Sequence, residues 1–213
     1  MFKKIIDCLL ALVFPVECLG CQAENTYFCN DCLAKAKIGA KPFNNPLTYL
    51  DNVYSAVDYN NRLIRQAIHL FKFRFIRELA GPLAEILISY YSNNQLNVEA
   101  VIPVPLNKKR LLERGFNQAE LVAEPFARHF DYRLLDKTVV RHKNTPHQIG
   151  LAKKDRLINV KEAFRVINPE MVKEKNILLI DDVVTTGSTL EEIARVLKKA
   201  GAKKVWGLTI AKD

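Results

Sequence analysis

The chain has 213 residues, 49% of them hydrophobic and 26% charged, the balance of a globular protein with a buried core, here one main domain and a small appendage. Lysine and arginine outnumber aspartate and glutamate 32 to 23, for a net charge of +9 and a pI near 9.3, which suits anionic partners such as nucleic acid or phosphorylated metabolites and equally a basic, solvated surface; charge alone names no ligand. The longest fully apolar run, 8–16, falls far short of the ~20 residues needed to span a bilayer.

The start, MFKKIIDCLLALVFPVEC, imitates a secretory leader, but Asp7 interrupts its apolar run and no small-x-small cleavage site follows. The expectation is a short amphipathic helix over 2–14 and a cytoplasmic protein. A cysteine knuckle then covers 18–32, and a connector with Pro42 and Pro46 covers 33–50. The division expected is 1–50 for helix and knuckle and 51–213 for the main domain.

Within the main domain, NVYSAVDY reads as a strand. RLIRQAIHLF reads as a helix with Leu63, Ala67, Leu70 and Phe71 on one face, and PLAEILISYY as a second helix. Strand EAVIPVP, helix NQAELVAE, a polar stretch over 141–160, strand NILLID, helix STLEEIARVLKKAG and strand KKVWGLTIA follow. Pro125 predicts a break or kink near Glu124. Strands alternating with helices, and near-continuous apolar strands, predict an α/β fold with a mainly parallel sheet flanked by helices. In such sheets ligands sit beyond the carboxyl ends of the strands.

Cys18, Cys21, Cys29 and Cys32 form two CxxC pairs seven residues apart, a spacing that can close a tetrahedral thiolate cage around structural zinc. A disulfide or redox CxxC is the alternative. Cys8 stands apart as an ordinary helix residue.

The stretch NILLIDDVVTTGST places Asp181 and Asp182 side by side at the end of an apolar strand. Adjacent carboxylates repel unless a cation, a sugar diol or hydrogen-bond donors engage them. Downstream, Thr185, Thr186, Gly187, Ser188 and Thr189 supply hydroxyls, with a glycine that permits a tight turn aiming backbone N–H groups at an anion. Ser188-x-x-Glu191 also fits a helix capping box, which would make those hydroxyls structural. No GxxxxGK[ST] or GxGxxG pattern is present.

ILLIDDVVTTGST resembles the 5-phosphoribosyl 1-pyrophosphate (PRPP) signature of type I phosphoribosyltransferases and matches it at every position. The resemblance implies a PRPP-binding stretch from Asp181 and Asp182 through Val183 and Val184 to Thr189. The two aspartates would hold the ribose 2′- and 3′-hydroxyls, and Thr185, Thr186, Gly187, Ser188 and Thr189 the 5′-phosphate. VIPVPLNKKRLLERGFNQAE puts Pro105, Leu106, Lys108, Lys109, Arg110 and Arg114 just beyond another strand. Beside the acidic pair, Arg110 and Arg114 become candidates for the pyrophosphate, because guanidinium forks match phosphate oxygens. Asn117-x-x-Glu120 is expected to cap the next helix.

PVPL, RGFNQAE, the stretch KNTPHQIGLAKKDRLIN and the leading LVFPVECLGC together resemble the ComF/GntX group of phosphoribosyltransferase-like proteins, associated with DNA uptake in bacterial competence. The resemblance covers essentially the whole chain. It implies a segment over the site that includes Thr145, Gln148, Leu151, Arg156 and Asn159, with Arg156 joining the pyrophosphate set, and it implies Mg2+ with PRPP.

RLIRQAIHLFKFRFIR, 62–77, carries five basic residues and no acid, and Lys72 and Arg74 alternate with Phe71, Phe73 and Phe75. Such interleaving suits single-stranded nucleic acid, with Lys72 and Arg74 as contacts. The competing reading is an amphipathic helix with its phenylalanines in the core. His69, His129, His142 and His147 show no metal spacing. The function these features point to is Mg-dependent phosphoribosyl transfer from PRPP with release of pyrophosphate, with no general base assigned. The alternative is a non-catalytic PRPP-sensing or DNA-binding accessory of the uptake machinery.

Overall fold

A computed structural model describes residues 16–36, 39–40, 42–142 and 160–213. The helix expected over 2–14 and the segment from Thr145 to Asn159, with His147 and Arg156, lie outside the described residues.

The elements in chain order are α1 (Asn30–Ala34), β1 (Asn52–Asp58), α2 (Arg62–Phe73), a 3-10 turn (Arg77–Leu79), α3 (Ala80–Ser92), β2 (Ala100–Pro103), α4 (Lys108–Arg114) and α5 (Gln118–His129). After them come β3 (Arg133–Leu134), β4 (Val139–Arg141), β5 (Phe164–Val166), β6 (Asn176–Val184), α6 (Ser188–Lys199) and β7 (Lys204–Lys212). The main sheet has the order β1-β7-β6-β2-β3, and every pairing in it is parallel. β4 and β5 form a separate antiparallel pair. The alternation of strand and helix thus produces the parallel sheet expected.

Burial on both faces explains the unbroken apolar runs. Along β6, Leu178 and Ile180 enter the core shared with α2, α3 and α5. Their neighbours Ile177 and Leu179 enter the opposite core beneath α6. A strand with period-two side chains must be apolar at every position when both faces are covered.

Several boundaries differ from expectation. β6 does not end at Asp181 but continues to Val184, because β7 runs alongside and pairs Val183 with Ala211 and Val184 with Lys212. Lys108, Lys109, Arg110 and Arg114 lie on a short helix, α4, rather than a loop; the Asn107 side chain caps it by accepting from Arg110 N at 2.8 Å. α5 passes through Pro125 without breaking at Glu124. Proline there removes one hydrogen bond, and the burial of Ala123, Phe126 and Ala127 on the same helix outweighs that loss. The buried stripe of α2 is Ile64, Ala67, Ile68 and Phe71, rotated from the expected face so that Leu63 and Leu70 are only partly covered. β3, β4 and β5 have two or three residues each, too short to show a period in the sequence.

The knuckle is seated on the main domain. Cys18, Phe28 and Cys32 share a core with Ile64, Ala67 and Phe71 of α2. A side chain in place of Gly20 would meet Cys32 Sγ at 2.6 Å and a Leu63 methyl at 3.5 Å, so the first CxxC needs glycine for this close approach. Among the described residues no helix is long and apolar enough to cross a membrane.

Candidate functional site

One cleft of about 400 Å³ opens at the carboxyl ends of β2 and β6. Asp181, Asp182, Val183, Val184, Thr185, Thr186, Gly187, Ser188 and Thr189 all line it, and across from them stand Pro105, Leu106, Arg110 and Arg114. Every described residue singled out for the sugar, its phosphate or the pyrophosphate therefore meets in one place. Lys72, Phe73 and Arg141 also line the cleft, so it holds four cations against two carboxylates.

The acidic pair is strained electrostatically. Burial, then the charge of Asp182, pushes the Asp181 carboxyl up from 3.8 to about 7, while Lys72, the Asp182 backbone N–H and Arg141 pull the other way. Asp181 Oδ1 accepts that N–H at 2.8 Å. Asp182 is 8% exposed and is answered by Lys72, whose Nζ lies 2.7 Å from Asp182 Oδ1. Lys72 was singled out as a nucleic-acid contact. It lies in the last turn of α2 and lines the cleft, with its ammonium on Asp182. Arg74, its companion in that reading, is exposed at the C-cap of α2.

The hydroxyl loop is held from behind. Gly187 is the N-cap of α6 at φ +78°, a conformation that favours glycine, and a Cβ there would sit 2.6 Å from the Phe43 ring. Thr186 and Ser188 hydroxyls bond each other at 2.6 Å, and Asn45 Nδ2 donates to Thr186 O at 3.3 Å. The Ser188–Glu191 capping box, the competing reading of these hydroxyls, does not form. Glu191 instead accepts from the backbone N–H groups of Thr48, Tyr49 and Leu50 at 2.6, 2.7 and 3.1 Å, and so fastens the connector to α6. With Gly187 as cap, the N-terminus of α6 opens at the loop, where its first N–H, of Ser188, reaches Thr186 Oγ1 at 3.4 Å; unpaired N–H groups at such a terminus suit an anion.

The next glutamate anchors the other flank. Glu192 accepts from Glu162 N at 2.7 Å and pairs with Arg195 through two bonds of 2.8 and 2.7 Å. Opposite, Asn117 caps α5 through Ala119 N at 3.2 Å and donates to Val104 O at 3.1 Å, tying α5 to the end of β2. Arg141, on β4, was not anticipated. Burial presses its guanidinium pKa down, Arg110 adds to this, and Asp181 opposes it. A lone arginine in a polar stretch offers no sequence signal that would have found it.

At the N-terminal end, the four sulfur atoms of Cys18, Cys21, Cys29 and Cys32 lie within 4.8 Å of one another, and none is in a disulfide. Cys21 and Cys29 Sγ are 3.5 Å apart; a tetrahedral shell with metal–sulfur bonds of ~2.3 Å has edges of roughly 3.8 Å. Burial opposes ionisation of Cys18, but the backbone N–H groups of Cys29, Cys21 and Gly20 outweigh it and hold the thiol down at about 6. The neighbouring Cys29 sulfur, then burial and the other sulfurs, push Cys32 up to about 12. Packed thiols that cannot all ionise together fit a dication, which would relieve that repulsion. The cluster is compatible with a zinc knuckle.

Comparison with known proteins agrees with this geometry. The family model described as "Phosphoribosyl transferase domain" matches residues 71–212. Competence protein F of Haemophilus influenzae is 34% identical over 206 residues, covering 91% of this chain and 90% of that protein. Competence protein ComFC of Bacillus subtilis is 32% identical over 161 residues, 75% of this chain and 63% of that protein. DNA utilization protein YhgH of Escherichia coli O6:H1 is 36% identical over 148 residues, 66% of this chain and 64% of that protein. With an acidic pair and a hydroxyl loop at the sheet edge, a four-cysteine cluster ahead of them, and relatives alike over most of its length, the chain belongs to the phosphoribosyl transferase domain family, alongside the Competence protein F and ComFC proteins.

Proposed function

We propose that the cleft binds PRPP with Mg2+ and transfers its phosphoribosyl group to an acceptor, releasing pyrophosphate. The observation that carries this is the joining, in one cleft, of paired carboxylates on β6, a glycine-capped helix N-terminus with threonine hydroxyls, and Arg110 and Arg114 opposite. A sugar with phosphates at both ends needs those three chemistries together.

Asp181 and Asp182 would accept hydrogen bonds from the ribose diol, with Lys72 balancing their charge. The N–H groups of α6 and the hydroxyls of Thr185, Thr186, Ser188 and Thr189 would take the 5′-phosphate. Arg110, Arg114 and Arg141 would face the leaving diphosphate. As the C1–O bond to pyrophosphate lengthens, positive charge grows on the ribose and negative charge on the departing oxygen. Carboxylates and guanidinium groups in the same cleft would stabilise that separation. Mg2+ supplies charge neutralisation of the diphosphate when bound. Cys18, Cys21, Cys29 and Cys32 would hold structural zinc that staples the knuckle over 18–32 onto α2.

Calorimetry with PRPP and Mg2+ tests the binding. Wild type is expected to bind, and Asp181→Asn and Asp182→Asn to lose on the order of tenfold or more in affinity, the scale of a lost charge-assisted hydrogen bond. Equal affinities in all three proteins would sink the assignment. A second reading, binding without turnover in DNA handling, is favoured by the names of the relatives and by the exposed Arg74 and Phe75 at the end of α2. Labelled PRPP separates the two: bound donor with no pyrophosphate released over candidate acceptors supports the second.

A further inference from the structure

Two residues beside the cleft look costly for a protein that only needs to fold. Phe73 is 45% exposed at the rim of a polar cavity. Gln118 is 1% exposed, and its Nε2 has no hydrogen-bond partner among the described residues. An apolar side chain would serve better at the second position and a polar one at the first.

Both touch Arg114. Its Nη1 donates to Gln118 Oε1 at 2.8 Å, and its guanidinium lies 5.6 Å from the centroid of the Phe73 ring. The ring is braced on its own helix by His69, at 4.9 Å between centroids. Burial lowers the Arg114 pKa, and the nearby charge of Asp182 opposes that, so a loose Arg114 would be drawn to Asp182. Lys72 already occupies that carboxylate at 2.7 Å. The guanidinium is therefore held by an amide carbonyl and a π-face, both neutral, and its charge is not spent on a carboxylate.

We propose that Phe73 and Gln118 are positioning residues that hold Arg114 in the cleft as a preset contact for the diphosphate of the donor. The inference rests on the reading of the cleft as a PRPP site and adds what sets the arginine's place. It also explains why the phenylalanine next to Lys72 stays out of the core: Lys72 serves the sugar end, and Phe73 serves the diphosphate end.

The test titrates the full chain with Mg2+-pyrophosphate and, separately, with ribose 5-phosphate. Gln118→Leu and Phe73→Ala are expected to weaken pyrophosphate binding roughly tenfold, the scale of one charge-assisted contact, and to leave ribose 5-phosphate binding unchanged. Phe73→Trp keeps a π-face and is expected to retain pyrophosphate affinity. Thermal unfolding of Gln118→Leu is expected to be unchanged or later than wild type, since removal of the buried unpaired Nε2 offsets the lost Arg114 bond. Unchanged pyrophosphate affinity in both variants, or equal losses for both ligands, overturns the proposal. A wild type that binds ribose 5-phosphate but not pyrophosphate also overturns it and leaves the sugar site standing. A wild type that binds neither removes the PRPP reading as well.

Discussion

Replacing Asp181 with asparagine is expected to stabilise the protein above neutral pH while damaging the site. The carboxyl titrates near 7 in the fold because burial and then Asp182 oppose its ionisation, against 3.8 in the unfolded chain. Between those two values the folded state holds a proton that the unfolded state has released, so stability falls as pH rises through the window and the loss is complete above about pH 7. Roughly three pH units at about 1.4 kcal/mol each set a ceiling of about 4 kcal/mol on this penalty. The titration belongs to the coupled pair with Asp182 rather than to one carboxyl. Asparagine keeps the side-chain oxygen that accepts the Asp182 N–H and removes the charge. Urea unfolding at pH 5, 6, 7 and 8 covers about two of those three units and should show wild type losing on the order of 2–3 kcal/mol relative to the variant across the series. Parallel pH profiles for the two proteins would refute the assignment of the penalty to this carboxyl.

Two further outcomes follow from the flanks of the site. Glu191→Ala removes the acceptor for three backbone N–H groups of the connector; a loss of about 1.5–3 kcal/mol is expected, read by denaturant unfolding, with faster proteolysis near Thr48, and wild-type resistance would contradict it. Native mass spectrometry is expected to find one zinc per chain in wild type and none in Cys32→Ser, and a metal-free wild type would remove the zinc assignment.

What was legible in the sequence was chemistry carried by near neighbours. The two CxxC pairs, the adjacent aspartates, the threonine-glycine turn and the run of fully apolar strands each declare themselves within a dozen residues. Hydrogen-bonding capacity, turn geometry and periodicity are local properties, and the parallel sheet and the 181–189 part of the cleft's lining follow from them, whereas Lys72, Phe73 and Arg141 join that lining through packing alone. The short strands β3 to β5 were not legible, because two or three residues carry no period.

Tertiary structure decided which charges meet. Lys72 reads as part of a basic stripe until the fold brings it to Asp182, 110 positions away. Glu191 reads as half of a capping box until the connector arrives and offers it three N–H groups from positions 48 to 50. Gln118 and Phe73 converge on Arg114 from two helices. A side chain's partner is settled by competition among all groups that packing brings within reach. The amino-acid order names the competitors, and only the folded arrangement sets the distances at which one of them wins.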